Sequence, residues 1–318
     1  MINMEKVTKI YSYEFNWAQI VSSFENATPQ YIEVSNNKGD FAYFQYLKRD
    51  ISNEIAELEK NKYFDIITPF DYGAFYYTNK EILEKLLKEF CKRCINENII
   101  SAFFRFNPLI KQDWNIINKY IDVKPIQEHI YIDLNEEYLN NFSKRKLRNI
   151  KKAQSLNPEF ISNTNIEDFY NIYIDSMQRI NATNYFLFSK ESLKKLYINF
   201  GRIFSLKYKN KVVTAIFIIE DSKNVYYFLG GTLKEFLPFG FNSLLFKLVC
   251  DYYKGHKNLF FLGGGKDGLY KFKEEFSKDK KTFYIGNKVF DKNLYDKLTK
   301  RTKRTNNQFF PKYREKTI

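Results

Sequence analysis

Hydrophobic and polar positions follow two kinds of pattern along this chain. Over residues 80–96 the apolar residues recur at helical spacing, whereas other segments are short apolar runs rich in β-branched and aromatic residues. These runs predict strands at 41–47, 64–68, 99–106, 212–219, 225–229 and 258–262. Helical spacing predicts helices at 80–96, 144–153, 166–179, 190–199 and 241–253. The predicted fold class is therefore α/β (α+β).

The order strand, glycine-containing loop, helix, strand occurs twice, once on each side of the basic helix at 144–153. Two copies of one unit predict two lobes, each a mixed sheet flanked by helices. No linker rich in proline, glycine or serine separates them, so the repeat alone places the boundary. We predict an N-terminal lobe over 1–138, a C-terminal lobe over 139–290 and a basic segment over 291–318 that is a tail or returns to the N-terminal lobe.

One stretch, from Phe260 to Ser277, has the composition of a reaction site. An apolar strand leads into Gly263, Gly264 and Gly265 and then into a segment rich in lysine and phenylalanine. Glycines after a strand let a ligand approach the backbone and leave N–H groups that can face an anion. With a nearby lysine, they supply what the tetrahedral intermediate of acyl transfer needs. A strand end followed by a solvated basic helix is the alternative.

Three other segments accompany this stretch, namely DIITPFDYGA at 65–74, FRFNP at 104–108, and YIDL at 131–134 followed by KLRNIKKA at 146–153. With LGGG and FKEEFS at 262–277, they resemble, in the same order, the motifs of the FemAB-like transferases. That family has a GNAT-like fold and adds amino acids to peptidoglycan precursors. The resemblance covers residues 60–290 and implies two GNAT-like lobes, an acyltransferase activity and an aminoacyl-tRNA as the acyl donor.

The resemblance also implies roles for single residues. The family's Phe-Lys pair at the reaction centre corresponds to Phe272 and Lys273, so we expect Lys273 to stabilise the oxyanion or the leaving group. Asp267 is a candidate for orienting Lys273 or the incoming amine. The alternatives are a surface lysine and a turn aspartate. The candidate substrate-binding residues are Asp65, Thr68, Tyr72, Gly73, Arg105, Arg148, Arg179, Gly263, Gly264 and Gly265.

The predicted reaction is aminolysis of an activated acyl ester by a neutral amine. Arg179 resembles a family arginine that meets the phosphates of the acceptor, but residues 180–183 depart from the acidic-glycine pattern of the peptidoglycan-specific members. We therefore expect a nucleotide- or lipid-linked envelope precursor, with a peptidoglycan peptide and a surface amino sugar both open. Since the chain has no heptad run for a coiled-coil arm, a tRNA would be held by the globular surface and the basic segment.

Coenzyme A is the less favoured acyl donor. GNAT acetyltransferases hold its pyrophosphate on a glycine-rich turn that leads into a helix. The corresponding place reads LPFGFN at 237–242, where Phe241 and Asn242 are expected to crowd a pyrophosphate beside Gly240. An acyl-CoA-dependent N-acetyltransferase is the first alternative function, and a non-catalytic nucleic-acid-binding protein is the second.

The charge balance favours anionic partners. Fifty-one lysines and arginines against 37 acidic residues give a net charge of +14, which suits tRNA, phosphorylated donors or an anionic membrane surface. One basic cluster lies within 144–152. A second lies within 297–316, interleaved with aromatic residues, and suits either a solvated tail or phosphate and base contacts.

Several other function classes are disfavoured. The three cysteines, Cys91, Cys94 and Cys250, form neither an even disulfide set nor a zinc-type spacing, so no metal is expected. The sequence contains only His129 and His256, so it offers few candidates for the histidine of a catalytic triad. No signal-peptide pattern opens the sequence, and the longest apolar run is too short to span a bilayer. We expect a cytoplasmic protein without a resident cofactor or transmembrane segment, in possible peripheral contact with the inner face of the membrane.

Overall fold

The computed structural model describes residues 10–55, 57–182, 186–301 and 309–314. The strands are β1 Thr28–Ser35, β2 Phe41–Asp50, β3 Phe64–Ile67, β4 Tyr76–Tyr77, β5 Ile99–Phe106, β6 Asp122–Asp133, β7 Glu159–Ile161, β8 Gly201–Tyr208, β9 Lys211–Glu220, β10 Asn224–Thr232, β11 Leu259–Gly263 and β12 Lys280–Val289. The α-helices are α1 Phe15–Val21, α2 Lys80–Asn96, α3 Trp114–Ile117, α4 Lys144–Gln154, α5 Ile166–Arg179, α6 Lys190–Phe200, α7 Phe241–Tyr253, α8 Asp267–Glu274 and α9 Lys292–Arg301.

One compact unit, unit 1, contains Ser12–Gln127 and the chain from Thr282 onward. Its strands run in the order β1-β2-β3-β5-β12, with β4 on β2; β3 and β5 are parallel and the other pairs are antiparallel. Helix α2 begins where the Asn79 side chain accepts a hydrogen bond from the Ile82 N–H. Its apolar face, which includes Leu83, Leu86 and Phe90, is buried in the core of this unit.

The other compact unit, unit 2, contains residues 10–11 and Glu128–Lys281. Its strands run in the order β6-β11-β10-β9-β8-β7, and only β10 and β11 are parallel. Helices α4 and α7 contribute Ile150, Ala153, Phe246 and Val249 to a core that also contains Phe204 of β8. The predicted mixed α/β architecture is therefore present in each unit taken by itself.

The structure differs from the predicted segment bounds at the end of the second lobe. The range 139–290 includes β12, which pairs with β5 and belongs to unit 1 from Thr282 onward. Residue 138 lies in a short helical turn after β6, whereas unit 2 begins at Glu128. The described residues 309–314 pack on unit 1, where Tyr313 is buried with Ile51, Ile100 and Leu298. Lys303, Arg304 and Lys316 of the second basic cluster lie outside the described residues.

Within the described parts of the chain, no helix combines the length and apolar character needed to cross a bilayer. The same residues contain no group of histidine, cysteine and acidic side chains that could hold a metal ion.

Candidate functional site

The glycine loop turns the chain from β11 into α8. Gly263 has φ = 72° and Gly265 has φ = 154°, and both values lie in the region that favours glycine. A Cβ atom on Gly265 would lie 3.0 Å from Leu269 Cγ. Asp267, with φ = 42°, is the first residue of α8. The predicted loop therefore ends in a helix whose own first turn packs against it.

Helix α8 returns Lys273 to this loop. The Lys273 residue is only 5% exposed, and its Nζ donates a hydrogen bond to the carbonyl oxygen of Gly264 at 2.5 Å. The same Nζ lies 5.2 Å from the centre of the Tyr227 ring on β10. Two members of the predicted site are thus in direct contact, and a solvated surface lysine is not what the structure contains.

The two parallel strands beside Lys273 diverge. Strands β10 and β11 pair only at Asn224–Tyr226 with Leu259–Phe261, after which β10 bulges between Tyr227 and Leu229 and continues along β9. Beyond Tyr226, no described strand pairs with the edge of β10 that faces β11. Tyr227 and the Lys273 ammonium lie beside this unpaired stretch of β10.

His129 on β6 belongs to the same surroundings. It is buried, and its ring lies 5.9 Å from the ring of Phe261 on β11. Burial, together with the positive charge of Lys273, lowers the pKa of His129 to about 3. The imidazole is therefore neutral at physiological pH. The association of this histidine with Lys273 was not predictable from the sequence, since 144 residues separate them in the chain.

Phe272 lies on the other side of α8, against a second buried lysine. Lys146 of α4 is 2% exposed, and its Nζ lies 3.8 Å from the centre of the Phe272 ring and 4.3 Å from that of Phe276. The Nζ also forms a 3.1 Å ion pair with Glu275 Oε2. Burial lowers the pKa of Lys146 to about 8, although Glu275 acts in the opposite direction. The sequence places Lys146 in a basic cluster, and its burial was not predicted.

A pocket of about 250 Å³ lies between α4, α8 and the turn before α7. It is lined by Arg145, Lys146, Asn149, Leu237, Pro238, Gly240, Asn242, Ser243, Phe272 and Glu275. Gly240 has φ = 78°, and a Cβ atom there would lie 2.7 Å from the backbone oxygen of Asn149. The expectation that Phe241 crowds this place is wrong. Phe241 is the first residue of α7 and is fully buried in the core beside Phe239 and Tyr208.

Three predicted residues of unit 1 meet at the ends of β3 and β5. The Thr68 hydroxyl accepts a hydrogen bond from the Arg105 N–H at 3.0 Å, and Arg105 Nη2 donates to the Thr68 carbonyl at 3.0 Å. The Gly73 N–H donates to the Arg105 carbonyl at 2.7 Å. A Cβ atom on Gly73 would lie 2.7 Å from Thr68 Cγ2. Position 73 therefore requires glycine in this arrangement of Thr68 and Arg105. Tyr72 is buried beside the ring of Phe283.

Asp65 is a structural counter-ion and not an accessible ligand group. It is 0% exposed, and its carboxylate accepts hydrogen bonds from Arg49 Nε at 2.8 Å, Arg314 Nε at 2.5 Å and the Tyr313 hydroxyl at 3.1 Å. Burial alone would raise the pKa of Asp65, but the charges of Arg49 and Arg314 outweigh it and hold that pKa below its ordinary value. Its expected role in substrate binding is corrected accordingly.

The remaining predicted residues lie in unit 2. Arg148 is exposed on α4. Arg179 is half-buried; its Nη1 donates to Asp175 at 2.5 Å and its Nη2 donates to the Thr232 carbonyl at 3.1 Å, so it joins α5 to the end of β10. Asp267 is exposed at the start of α8, where a carboxylate favours the helix, whereas Lys273 is buried. This placement favours a structural role for Asp267 at the start of α8 over a role in orienting Lys273 or the incoming amine.

No protein-family model matches the sequence, and no curated protein sequence matches it either. Several solved structures are similar to it. The crystal structure of FemX has a TM-score of 0.70 at 12% identity, covering 93% of this chain and 98% of FemX. The C-terminal domain of a putative lysylphosphatidylglycerol synthetase from Agrobacterium fabrum has a TM-score of 0.58 at 11% identity, with 93% and 96% of the two chains covered.

A third solved structure, L-PGS from Bacillus licheniformis, has a TM-score of 0.57 at 12% identity, covering 85% of this chain and 86% of its own. At such identities the likeness concerns the fold. The prediction of a FemAB-like, GNAT-like fold is confirmed at that level.

Proposed function

We propose that this protein transfers an acyl group from an ester to an amine, with an aminoacyl-tRNA as the donor and an amine of a cell-envelope precursor as the acceptor. The observation that carries the proposal is the position of Lys273. Its buried Nζ is fixed by the Gly264 carbonyl, beside the stretch of β10 that no longer pairs with β11. A preformed positive charge in a largely dry site stabilises the negative charge that develops during acyl transfer.

The reaction follows from this placement. The neutral amine attacks the ester carbonyl carbon, a C–N bond forms, and the carbonyl oxygen becomes an oxyanion. Collapse of this intermediate breaks the C–O bond of the ester, and the departing alcohol oxygen receives the proton that the amine loses. The Lys273 ammonium stabilises the oxyanion or the leaving oxygen. His129 is neutral and adds no competing positive charge.

The likeness to FemX and the four sequence motifs support an aminoacyl donor. The name of the second neighbour, a putative lysylphosphatidylglycerol synthetase, denotes an aminoacylated lipid as product, which supports a lipid-linked acceptor beside a nucleotide-linked one. Because aminoacyl-tRNA is a cytoplasmic substrate, we place the reaction in the cytoplasm. A lipid-linked acceptor would bring the protein to the inner face of the membrane.

The turn before α7 argues against coenzyme A as the donor. A pyrophosphate needs exposed N–H groups there. Here the backbone of α4 occupies the space beside Gly240, where a Cβ atom would lie 2.7 Å from the Asn149 carbonyl oxygen. An acyl-CoA-dependent N-acetyltransferase stays the alternative enzyme. In a non-catalytic nucleic-acid-binding protein, the buried Lys273 would have no functional role.

The first prediction tests the chemistry at Lys273. We expect Lys273→Met to lower the rate of acyl transfer by a factor on the order of 10²–10³, because one preformed charge at the oxyanion is lost. The measurement is the transfer of radiolabelled amino acid from mixed aminoacyl-tRNA to nucleotide-linked, lipid-linked and amino-sugar acceptors. The matched control is Lys271→Met, an exposed lysine on the same helix, which should stay within a few-fold of the parent.

Turnover of Lys273→Met near the parent rate, in a variant with an unchanged melting temperature, would contradict the role of Lys273. Calorimetric titration then separates the donors. Binding of charged tRNA without a response to acetyl-coenzyme A agrees with the proposal. Micromolar binding of acetyl-coenzyme A without a response to tRNA would replace it with an ordinary acetyltransferase.

A further inference from the structure

Helix α4 carries the most one-sided charge of any helix described here. Its eleven residues, KRKLRNIKKAQ, include six cations and no acidic residue. One of the six, Lys146, is buried, and the other five are exposed, namely Lys144, Arg145, Arg148, Lys151 and Lys152. At 3.6 residues per turn these five occupy an arc of about 120° on the side opposite Ile150 and Ala153.

Cations on several other helices are arranged differently. Several have a carboxylate four residues away on the same helix, in the pairs Lys88–Glu84, Arg179–Asp175, Lys195–Glu191, Lys247–Asp251 and Lys292–Asp296. Such pairs stabilise a helix, whereas like charges at this spacing destabilise it. On α4 the i,i+4 neighbours Lys144 and Arg148 are both cations, as are Arg148 and Lys152.

The charge pattern of α4 therefore works against the helix itself. Lys144 and Arg145 also stand in its first turn, where the helix dipole disfavours positive charge. The helix is held instead by the Ser143 cap, whose hydroxyl accepts a hydrogen bond from the Lys146 N–H, and by the buried Ile150 and Ala153. An anionic ligand bound to this surface would compensate for the repulsion between the cations of α4.

Three of the five exposed cations have no carboxylate partner among the residues that the structure describes. Arg145 forms an ion pair with Glu275, and Lys152 donates to the Pro238 carbonyl. In the described ranges of the chain, no carboxylate lies within 4.0 Å of the charged nitrogens of Lys144, Arg148 or Lys151. These three follow one another on a single helix face, about 6 Å and about 4.5 Å apart along its axis.

We propose that the exposed face of α4, defined by Lys144, Arg148 and Lys151, binds the phosphate backbone of RNA, and that this RNA is the donor tRNA. The inference rests on the proposed function for the identity of the RNA. Three adjacent cations on a rigid element can neutralise successive phosphates, and the planar guanidinium of Arg148 can bind one of them with two hydrogen bonds.

An anionic membrane surface fits this face less well. An amphipathic helix that binds a bilayer inserts exposed apolar side chains beside its cations. On α4 the apolar residues Ile150 and Ala153 are buried in the core of unit 2, and Leu147 packs against the same core. This face has positive charge but no exposed apolar area for insertion into a bilayer. Positive charge alone is sufficient to bind a polyphosphate.

The experiment measures binding of deacylated tRNA across a range of salt concentrations. The triple variant Lys144→Gln, Arg148→Gln and Lys151→Gln should bind on the order of tenfold more weakly, and the slope of log K against log salt should fall by about 2–3, because up to three phosphate contacts are lost. The control triple variant, Lys92→Gln, Lys194→Gln and Lys223→Gln, removes the same charge from exposed positions on α2, on α6 and in the β9–β10 turn. Its slope should stay at the parent value.

An unchanged slope in the α4 variant, or an equal loss in the control, would overturn the proposal in favour of diffuse electrostatic attraction. If the α4 variant loses binding to vesicles of phosphatidylglycerol and phosphatidylcholine while keeping its tRNA slope, the face is a membrane surface. The α4 variant should be at least as stable as the parent, because like-charge repulsion is removed. Since deacylated tRNA cannot react, the result is independent of whether transfer itself is observed.

Discussion

Two lysines of unit 2 are buried, and their ammonium groups are held in different ways. Lys273 is held by the carbonyl of Gly264, whereas Lys146 is held by a carboxylate and two aromatic rings. Removing an ammonium group from water costs several kcal/mol unless the new partners replace its hydration. A carbonyl is neutral, so the Gly264 carbonyl does not cancel the positive charge of Lys273 as a carboxylate would.

The burial of Lys146 predicts an unusual dependence of stability on pH. Below pH 8, Lys146 is charged in both the folded and the unfolded chain, so the cost of burying it is fully present. Between the folded pKa of about 8 and the ordinary value of 10.5, unfolding takes up a proton, and stability rises with pH. We therefore compare the free energy of unfolding of Lys146→Met with that of the parent. The comparison should favour the variant most below pH 8, and this advantage should shrink by up to about 3 kcal/mol as the pH rises to 10.5.

Urea unfolding at pH 7 to 10.5 measures this difference. The matched control is Arg145→Met, which removes an exposed cation that contacts the same Glu275 and should give a difference that is nearly constant with pH. A Lys146→Met difference that is equally flat would show that the lysine is solvated and that its pKa is ordinary.

At this scale, the sequence could single out a residue that lies inside a contiguous motif. Lys273 was found because glycines and phenylalanines surround it in the chain. Asp65 also lies in a motif, but its main partners, Arg49 and Arg314, are distant in sequence, so its burial as a counter-ion was not predictable. Lys146 has the same neighbours in sequence as a solvated lysine, and only the packing of α8 distinguishes it.

Helix α5 and strand β10 approach each other closely at Gly231. A Cβ atom there would lie 2.2 Å from Ser176 Oγ and 2.8 Å from the Ile172 carbonyl oxygen. We expect Gly231→Ala to lower the free energy of unfolding by about 1–3 kcal/mol, because the backbone of α5 must move. Gly268→Ala is the control, since no atom lies within 4 Å of its Cβ position and alanine favours the interior of α8 by up to about 1 kcal/mol.

Chemical denaturation of both variants tests this contact. Equal stabilities for Gly231→Ala and the parent would mean that α5 and β10 are not packed as described. A transfer assay on Gly231→Ala adds a second readout, because Arg179 of α5 donates to the carbonyl of Thr232 next along β10.

Helices with clear apolar periodicity were predictable at the level of elements. The bounds of α2, α5 and α7 agree with the predicted ranges, since their caps and apolar faces are local signals. Strand β8 was missed because it begins at Gly201, directly after the last residue of α6, without a turn. Strand β12 was missed because its partner β5 is remote in the sequence.

Unit 1 is discontinuous in sequence, and its last described residues complete its buried ion network. Arg314 and Tyr313 both contact the carboxylate of Asp65. We expect Arg314→Met to destabilise the fold by about 3 kcal/mol, because one of the two charges that compensate a buried carboxylate is lost. The control is Arg301→Met, which breaks an exposed ion pair with Glu57 and should cost less than about 1 kcal/mol.

The same variant should be more sensitive to acid. In the parent, the lowered pKa of Asp65 contributes stability above the ordinary carboxyl range, and that stability is lost as pH falls through the folded pKa. With Arg314 absent, the folded pKa rises, so the loss should begin at a higher pH. Thermal melts from pH 7 to pH 3 measure the shift, and identical acid profiles for parent and variant would argue that the arginine is not part of the network.

The discontinuity of unit 1 also has a consequence for synthesis of the chain. On the ribosome, β5 emerges 174 residues before β12 begins, and at ordinary translation rates its open edge waits on the order of ten seconds or more for a partner. Unit 2 is almost continuous in sequence and can finish folding first, although it follows most of unit 1 in the chain. The nascent protein therefore passes through a period with an unpaired strand edge, when holding chaperones would protect it from aggregation.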